Sequence, residues 1–195
     1  MLTRRASLLL PLLLAGCGGD RRPRSYPPLR YDYLTPLTLN VAAIQIEQRF
    51  VTSGAAPDVS QLDPVPPLRA LRAMAEDRLQ AFGSTGQAVF VIQDASLMRR
   101  RDTLSGNFSV ELGIYPEPGA RAGFAQASAS GRFTGDLDDL PGRLYDLTKD
   151  MMDRLNVEFE YQVRHALAPW LLSAGATQAP VEQQPLTQEP LPATP

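Results

Sequence analysis

This chain of 195 residues has one cysteine, Cys17, and one histidine, His165. A single cysteine excludes a disulfide framework and a cysteine-ligated zinc site. A single histidine leaves no His-rich metal site and no Ser-His-Asp triad with a second histidine in reserve. His165 falls near the end of a long helical pattern, where a cation suits the helix dipole, and reads as a capping or surface residue. Positive charge is not in surplus either: 19 Lys and Arg stand against 21 Asp and Glu, for a formal net charge of −2. The basic face that nucleic acid usually requires is therefore not expected. The sequence has no Gly-x-Ser-x-Gly elbow, no Walker loop and no dinucleotide fingerprint, so nucleotide chemistry has no support. Asp150 with Asp153, and Glu158 with Glu160, fall at one-turn or alternate spacing on a helix exterior, where carboxylates form a solvated face. No catalytic residue, metal ligand or cofactor is assigned, and the expectation is a protein that is not an enzyme.

What is present begins at the N-terminus. Arg4 and Arg5 precede an apolar run over residues 8–14, broken by Pro11, and small residues lead to Cys17. The run is too short to span a bilayer and has the three parts of an export signal. Leu13-Leu14-Ala15-Gly16-Cys17 resembles the lipobox of bacterial lipoproteins. That resemblance implies cleavage before Cys17, a diacylglycerol on its sulfur and an acylated amine. It also implies a periplasmic-facing lipid anchor, in the outer membrane ahead of the inner because Gly18 and not aspartate follows the cysteine. Arg4-Arg5 followed by Ser7 fits Sec export better than a twin-arginine signal. Removing residues 1–16 takes the formal charge from −2 to about −4.

Four stretches follow from composition: a signal peptide (1–16), lipidated Cys17 with a flexible Pro- and Arg-rich tether (17–36), one domain (37–172), and a disordered Pro/Gln-rich tail (173–195). A domain of about 135 residues buries roughly two thirds of its unfolded surface and can stand on its apolar core alone. Leu37, Leu39 and Val41 alternate with polar residues as in a strand, and the pattern slips to Ile44 and Ile46, as a bulge near Ala42-Ala43 predicts. Pro66 and Pro67 open a helix whose apolar face is Leu68, Leu71, Ala75, Leu79 and Phe82, ended by Gly83 and Gly86. Three strands are predicted next. Val89-Phe90-Val91-Ile92 lies in a strand covered on both faces or central in its sheet. Leu104, Phe108, Val110, Leu112 and Ile114 form the inner side of the second. Gly123, Ala125, Ala127, Ala129 and Gly131 form a shallow side of the third, which a helix can approach closely. Asp136, Asp138 and Asp139 precede a long helix over 140–172, striped by Leu144, Leu147, Met151, Leu155 and Phe159 and bent or ended at Pro169.

The order β-α-β-β-β-α predicts an α+β fold: a four-stranded mixed sheet with both helices on one face, the first crossover right-handed. With Leu14-Ala15-Gly16-Cys17, this element order resembles the auxiliary lipoproteins of ABC-type lipid transport systems and the lipopolysaccharide-assembly lipoproteins. The resemblance is architectural, and no residue role is carried over from it. It implies an accessory or adaptor subunit of an envelope transport or assembly system, with an envelope protein complex as partner. The alternative is a lipid- or glycolipid-binding lipoprotein, and an envelope hydrolase comes third.

Apart from Cys17, the candidate contact residues are Arg99, Arg100 and Arg101 at a hairpin tip. Their planar forks suit phosphate or carboxylate groups of lipid, glycan or protein. Charge at such a tip also keeps strand edges from pairing with other chains. Trp170, Tyr31 and Tyr33 are further aromatic candidates for contact, with core closure as the commoner use.

Overall fold

The computed structural model describes residues 24–172. The signal peptide, Cys17, the first part of the tether and the tail lie outside the described residues. Two short strands come first, β1 (Leu37–Leu39) and β2 (Ala43–Gln48), then helix α1 (Pro67–Arg78) and strand β3 (Leu79–Ala81). Three long strands follow, β4 (Gln87–Arg100), β5 (Thr103–Tyr115) and β6 (Gly123–Thr134), and then helix α2 (Leu140–Ala166). The main sheet has the order β2-β4-β5-β6, with β2 parallel to β4 and the remaining pairs antiparallel. This is the predicted four-stranded mixed sheet. Both helices cover one of its faces.

The phase slip after Val41 is a change of partner and not a bulge. β1 pairs in parallel with β3, Leu37 opposite Leu79, as a separate two-stranded sheet, whereas β2 joins β4. Between them the chain bends, with the Val41 N–H closing on the Leu39 carbonyl at 2.9 Å. Gly83 passes so close that a Cβ there would sit 2.6 Å from the Val41 nitrogen. The bend therefore requires glycine at that point. Helix α1 is correspondingly shorter than predicted. Leu79 turns extended to pair with β1 and is still buried, while Phe82 is 77% exposed and belongs to no helix face.

The long strands follow the alternation closely. Leu104, Phe108, Val110, Leu112 and Ile114 of β5 are all fully buried against the helices. In β4 the inward set shifts from Ala88, Phe90 and Ile92 to Ala95 and Leu97, because the register with β5 slips between Ile92 and Asp94. One extra residue at that bulge keeps both halves of a 14-residue strand facing the core. On the open face the bulge sets Gln93 and Asp94 among polar partners. Gln93 accepts from Ser109 and Gln126, and Asp94 accepts from Asn107 at 2.7 Å.

The shallow side of β6 receives α2. A Cβ at Gly131 would lie 2.8 Å from Leu147 and 2.9 Å from Met151, so only the bare backbone admits the helix here. Asp139 caps α2 by accepting the Gly142 N–H at 3.1 Å, as expected of an aspartate at that place. The helix ends at Ala166, and a single 3-10 turn at Ala168–Trp170 includes Pro169. Phe90 and Phe159 meet edge to face at 5.5 Å between sheet and helix.

One buried acid couples α2 to the loop before α1. Asp63 is 3% exposed and accepts from the Thr148 hydroxyl at 2.5 Å and the Val65 N–H at 2.9 Å. Burial outweighs those two bonds and pushes its carboxyl up to about 6. The native state therefore holds this proton more tightly than the unfolded chain. The stabilisation is full below the unfolded value near 4 and is lost as pH rises through 6, a change of about 2–3 kcal/mol. Asp63→Asn is expected to remove that decline and leave the protein more stable at pH 7. Urea unfolding of both proteins between pH 4 and 7 measures the difference.

Candidate functional site

Residues 99–101 lie where the sequence places them, at the turn joining β4 to β5, with Arg100 paired to Thr103. All three are exposed. Arg101 has φ 57°, the left-handed region that an L side chain rarely adopts. With Arg100 paired to Thr103, the turn consists of Arg101 and Asp102, and three arginines stand in a short span. No ion pair among the described residues includes any of them. The end of β6 lies beside this tip, with the Thr103 and Thr134 hydroxyls 3.1 Å apart and the Gly135 N–H donating to the Asp102 carbonyl. Arg132 and Arg143 add positive charge there, Arg143 stacking over Phe133 at 4.9 Å. Asp102, Asp136 and Asp138 are exposed at the same end, so its surface is mixed in sign.

From Arg24 onward, part of the stretch expected as a tether is seated on the domain. Arg24 pairs with Asp139 at 3.2 Å and with Asp146, both at the start of α2. Tyr26 packs on Tyr145 at 5.3 Å, and the Tyr145 hydroxyl donates to the Pro27 carbonyl at 3.1 Å. Leu29 and Tyr31 are buried, and Arg30 meets Asp77 of α1. Burial pushes the Tyr31 hydroxyl well above its ordinary value. The chain reaches the domain at the start of α2, the same end as the arginine hairpin. Of the expected tether, only residues 17–23 lie outside the described residues.

The remaining candidates are placed less suggestively. His165 is exposed and stacked on Tyr161 with ring centroids 6.0 Å apart. Trp170 is partly buried against the core, and its carbonyl accepts the Asn40 N–H, so it closes the domain. Tyr33 is 73% exposed. The acid pairs of α2 are engaged by neighbours: Asp150 by Arg154, Asp153 by Lys149, Glu158 by Gln162, Glu160 by Arg78 and Arg164. Among the described residues no group of three or more His, Cys, Asp or Glu could hold a metal, and no helix is long and apolar enough to cross a membrane. The space between helices and sheet, where an acyl chain would have to enter, is filled by Phe90, Phe108, Met151, Leu155 and Phe159, all buried.

Sequence reasoning did not identify the docked strap or the buried Arg78. A signal for Arg78 exists, since it stands seven residues after Leu71 on the apolar stripe of α1. For the strap the signal is weaker, with Leu29 and Tyr31 alternating inside a proline-rich run.

The domain thus defined is α+β, with an arginine-tipped hairpin beside the point where the chain arrives. No family model matches the chain, and no curated protein sequence does. Partial likeness exists to three solved structures. One is a candidate lipoprotein of Caulobacter crescentus CB15, 16% identical with a TM-score of 0.32, covering 61% of this chain and 84% of that one. Another is a minor lipoprotein of Acinetobacter baumannii, 11% identical with a TM-score of 0.36, covering 71% and 99%. The third is lipoprotein GNA1162 of Neisseria meningitidis, 13% identical with a TM-score of 0.27, covering 61% and 99%.

Proposed function

We propose that this is a bacterial envelope lipoprotein, held by acyl chains on Cys17 at the periplasmic face of the outer membrane. Its role is that of a non-catalytic adaptor in an envelope transport or assembly system. The observation that carries the reading is the pinning of Arg24 to the start of α2 beside the arginine hairpin. Seven residues from Cys17 to Arg24 span at most about 25 Å. A lipid on Cys17 therefore keeps that end of the domain close to the membrane, with Arg99, Arg100 and Arg101 turned toward head groups or toward a partner seated there. Three exposed cations in a compact span contribute about 1 kcal/mol each near an anionic surface. That is too little to hold a protein and enough to orient one that is already tethered.

Purification of the tagged full-length chain from gently crosslinked membranes tests the adaptor reading. A discrete envelope protein is expected to come with it, and to be lost when residues 99–101 are all replaced by glutamate. Recovery of this chain alone contradicts the reading.

A further inference from the structure

The two edges of the main sheet are protected very differently. β2 has six residues and carries Glu47, paired with Arg49 at 3.6 Å. β6 has twelve, and from Gly123 to Gly131 it contains neither a charge nor a proline. Charge, proline, brevity and bulges are the usual means of stopping an edge strand from recruiting another. On β6 the one charge, Arg132, lies near the far end, and among the described residues the stretch before it is covered by a hydrogen bond from Arg154 of α2 to the Ser130 carbonyl at 2.9 Å. A groove of about 660 Å³ runs along this edge, between Gln126, Ser128 and Ser130 on the strand and Arg154 and Glu158 on the helix. Apolar side chains stand exposed beside it: Val157 at 70%, Tyr161 at 61% and Phe124 at 46%.

The geometry points to a second copy of this chain as the occupant, β6 pairing antiparallel with β6 about a two-fold axis at Ser128. Charge and register both favour this pairing. Leu147 and Met151 lie over Gly131 and Leu167 over Gly123, so α2 runs antiparallel to β6. With a rise of about 1.5 Å per helical residue and about 3.3 Å per strand residue, Ser128 lies abreast of Leu155 and Asn156. A two-fold axis there brings Arg154 of each copy opposite Glu158 of the other, and brings the two Val157 side chains together near the axis. On the open face it sets Gln126 against Ser130, and Phe124 against Arg132. The patch is thus complementary to itself in charge, in apolar contact and in backbone bonding, as an isologous interface requires. The result is one continuous eight-stranded sheet with both α2 helices on the same side. The two arrival points at Arg24 then lie toward opposite ends, and both anchors reach one membrane when the sheet lies along it.

Light scattering on the full-length chain in detergent, with the micelle contribution subtracted, reads the outcome directly. Wild type is expected as a dimer. Glu158→Arg, which sets one arginine against Arg154 of the other copy at each of the two contacts, is expected as a monomer, and Arg154→Glu with Glu158→Arg is expected to restore the dimer. Val157→Glu, at a position 70% exposed in the single chain, is expected to give a folded monomer whose melting temperature matches that of the Glu158→Arg monomer and no longer rises with protein concentration. A wild-type monomer at every concentration, a dimer unaffected by Glu158→Arg and Val157→Glu, or a different envelope protein crosslinked along β6 would overturn the proposal.

Discussion

Glu160→Ala is expected to destabilise the domain by about 3 kcal/mol. Arg78, at the last turn of α1, has a side chain only 1% exposed, and among the described residues its single ion-pair partner is Glu160, at 2.5 Å. Its Nε and Nη1 have no hydrogen-bond partner among the described residues. Burial pulls the Glu160 carboxyl upward, but hydrogen bonds from Arg78 and Arg164 outweigh it and hold it below the usual carboxylate range. Removing the carboxylate leaves a guanidinium in the interior with no anion to offset its lost hydration. Because Glu160 is 33% exposed, water reaches part of the gap, which places the cost at the lower end of the range for broken buried pairs. Arg78→Met behaves differently. It removes the buried charge and keeps its volume, so a loss within about 1 kcal/mol is expected, and Glu160→Ala added to it should cost little more. Urea denaturation of the two single variants and the double variant measures this. An Arg78→Met loss as large as that of Glu160→Ala would mean that the pair stabilises the fold on its own account.

Phe159→Ala is expected to cost about 4 kcal/mol, the largest effect of any single substitution considered. The ring is fully buried on α2, edge-on to Phe90 of the central strand β4, and it joins the helix to the middle of the sheet. Truncation forfeits the transfer energy and leaves a cavity whose walls, Phe90 and Leu155 among them, belong to rigid elements and collapse only partly. Out of a typical total of 5–15 kcal/mol this is a large share. Thermal unfolding should show a drop of many degrees for Phe159→Ala and almost none for Val157→Ala, two residues away and 70% exposed. Similar losses at both positions would contradict the assignment of this face to the core.

These two residues show how legible the fold is in the sequence. Phe159 is identifiable because Leu144, Leu147, Met151, Leu155 and Phe159 recur at helical spacing, and a helix with one apolar stripe has one way to bury it. The small-residue side of β6 likewise announces a close helix, and α2 fills it. Where the reading failed, non-local backbone pairing decided the outcome. Leu79 and Phe82 continue the spacing of α1, yet Leu79 turns extended because β1 offers it a parallel partner, a contact between residues 42 positions apart. The slip between Val41 and Ile44 looks identical in sequence whether a strand bulges or changes sheets. Only the partners, β3 in one case and β4 in the other, distinguish the two. Of the candidate surface, the arginine hairpin is legible from charge and turn spacing. Its position beside Arg24 is not, since it depends on Asp139 and Asp146, more than a hundred residues away in the chain.

In the proposed function, acyl chains on Cys17 would hold the protein in place while residues 24–172 fold without it. One acyl chain gives marginal binding at about 0.8 kcal/mol per buried CH₂, and two or three make attachment effectively permanent. No helix among the described residues is long and apolar enough to cross a membrane. Fractionation of cells expressing Cys17→Ser beside wild type, followed by thermal unfolding of the recovered protein, is the most direct test. Wild type should sediment with membranes, and Cys17→Ser should be soluble with the same melting temperature. A Cys17→Ser protein that stays with the membranes, or one that is released but unfolded, would contradict the account.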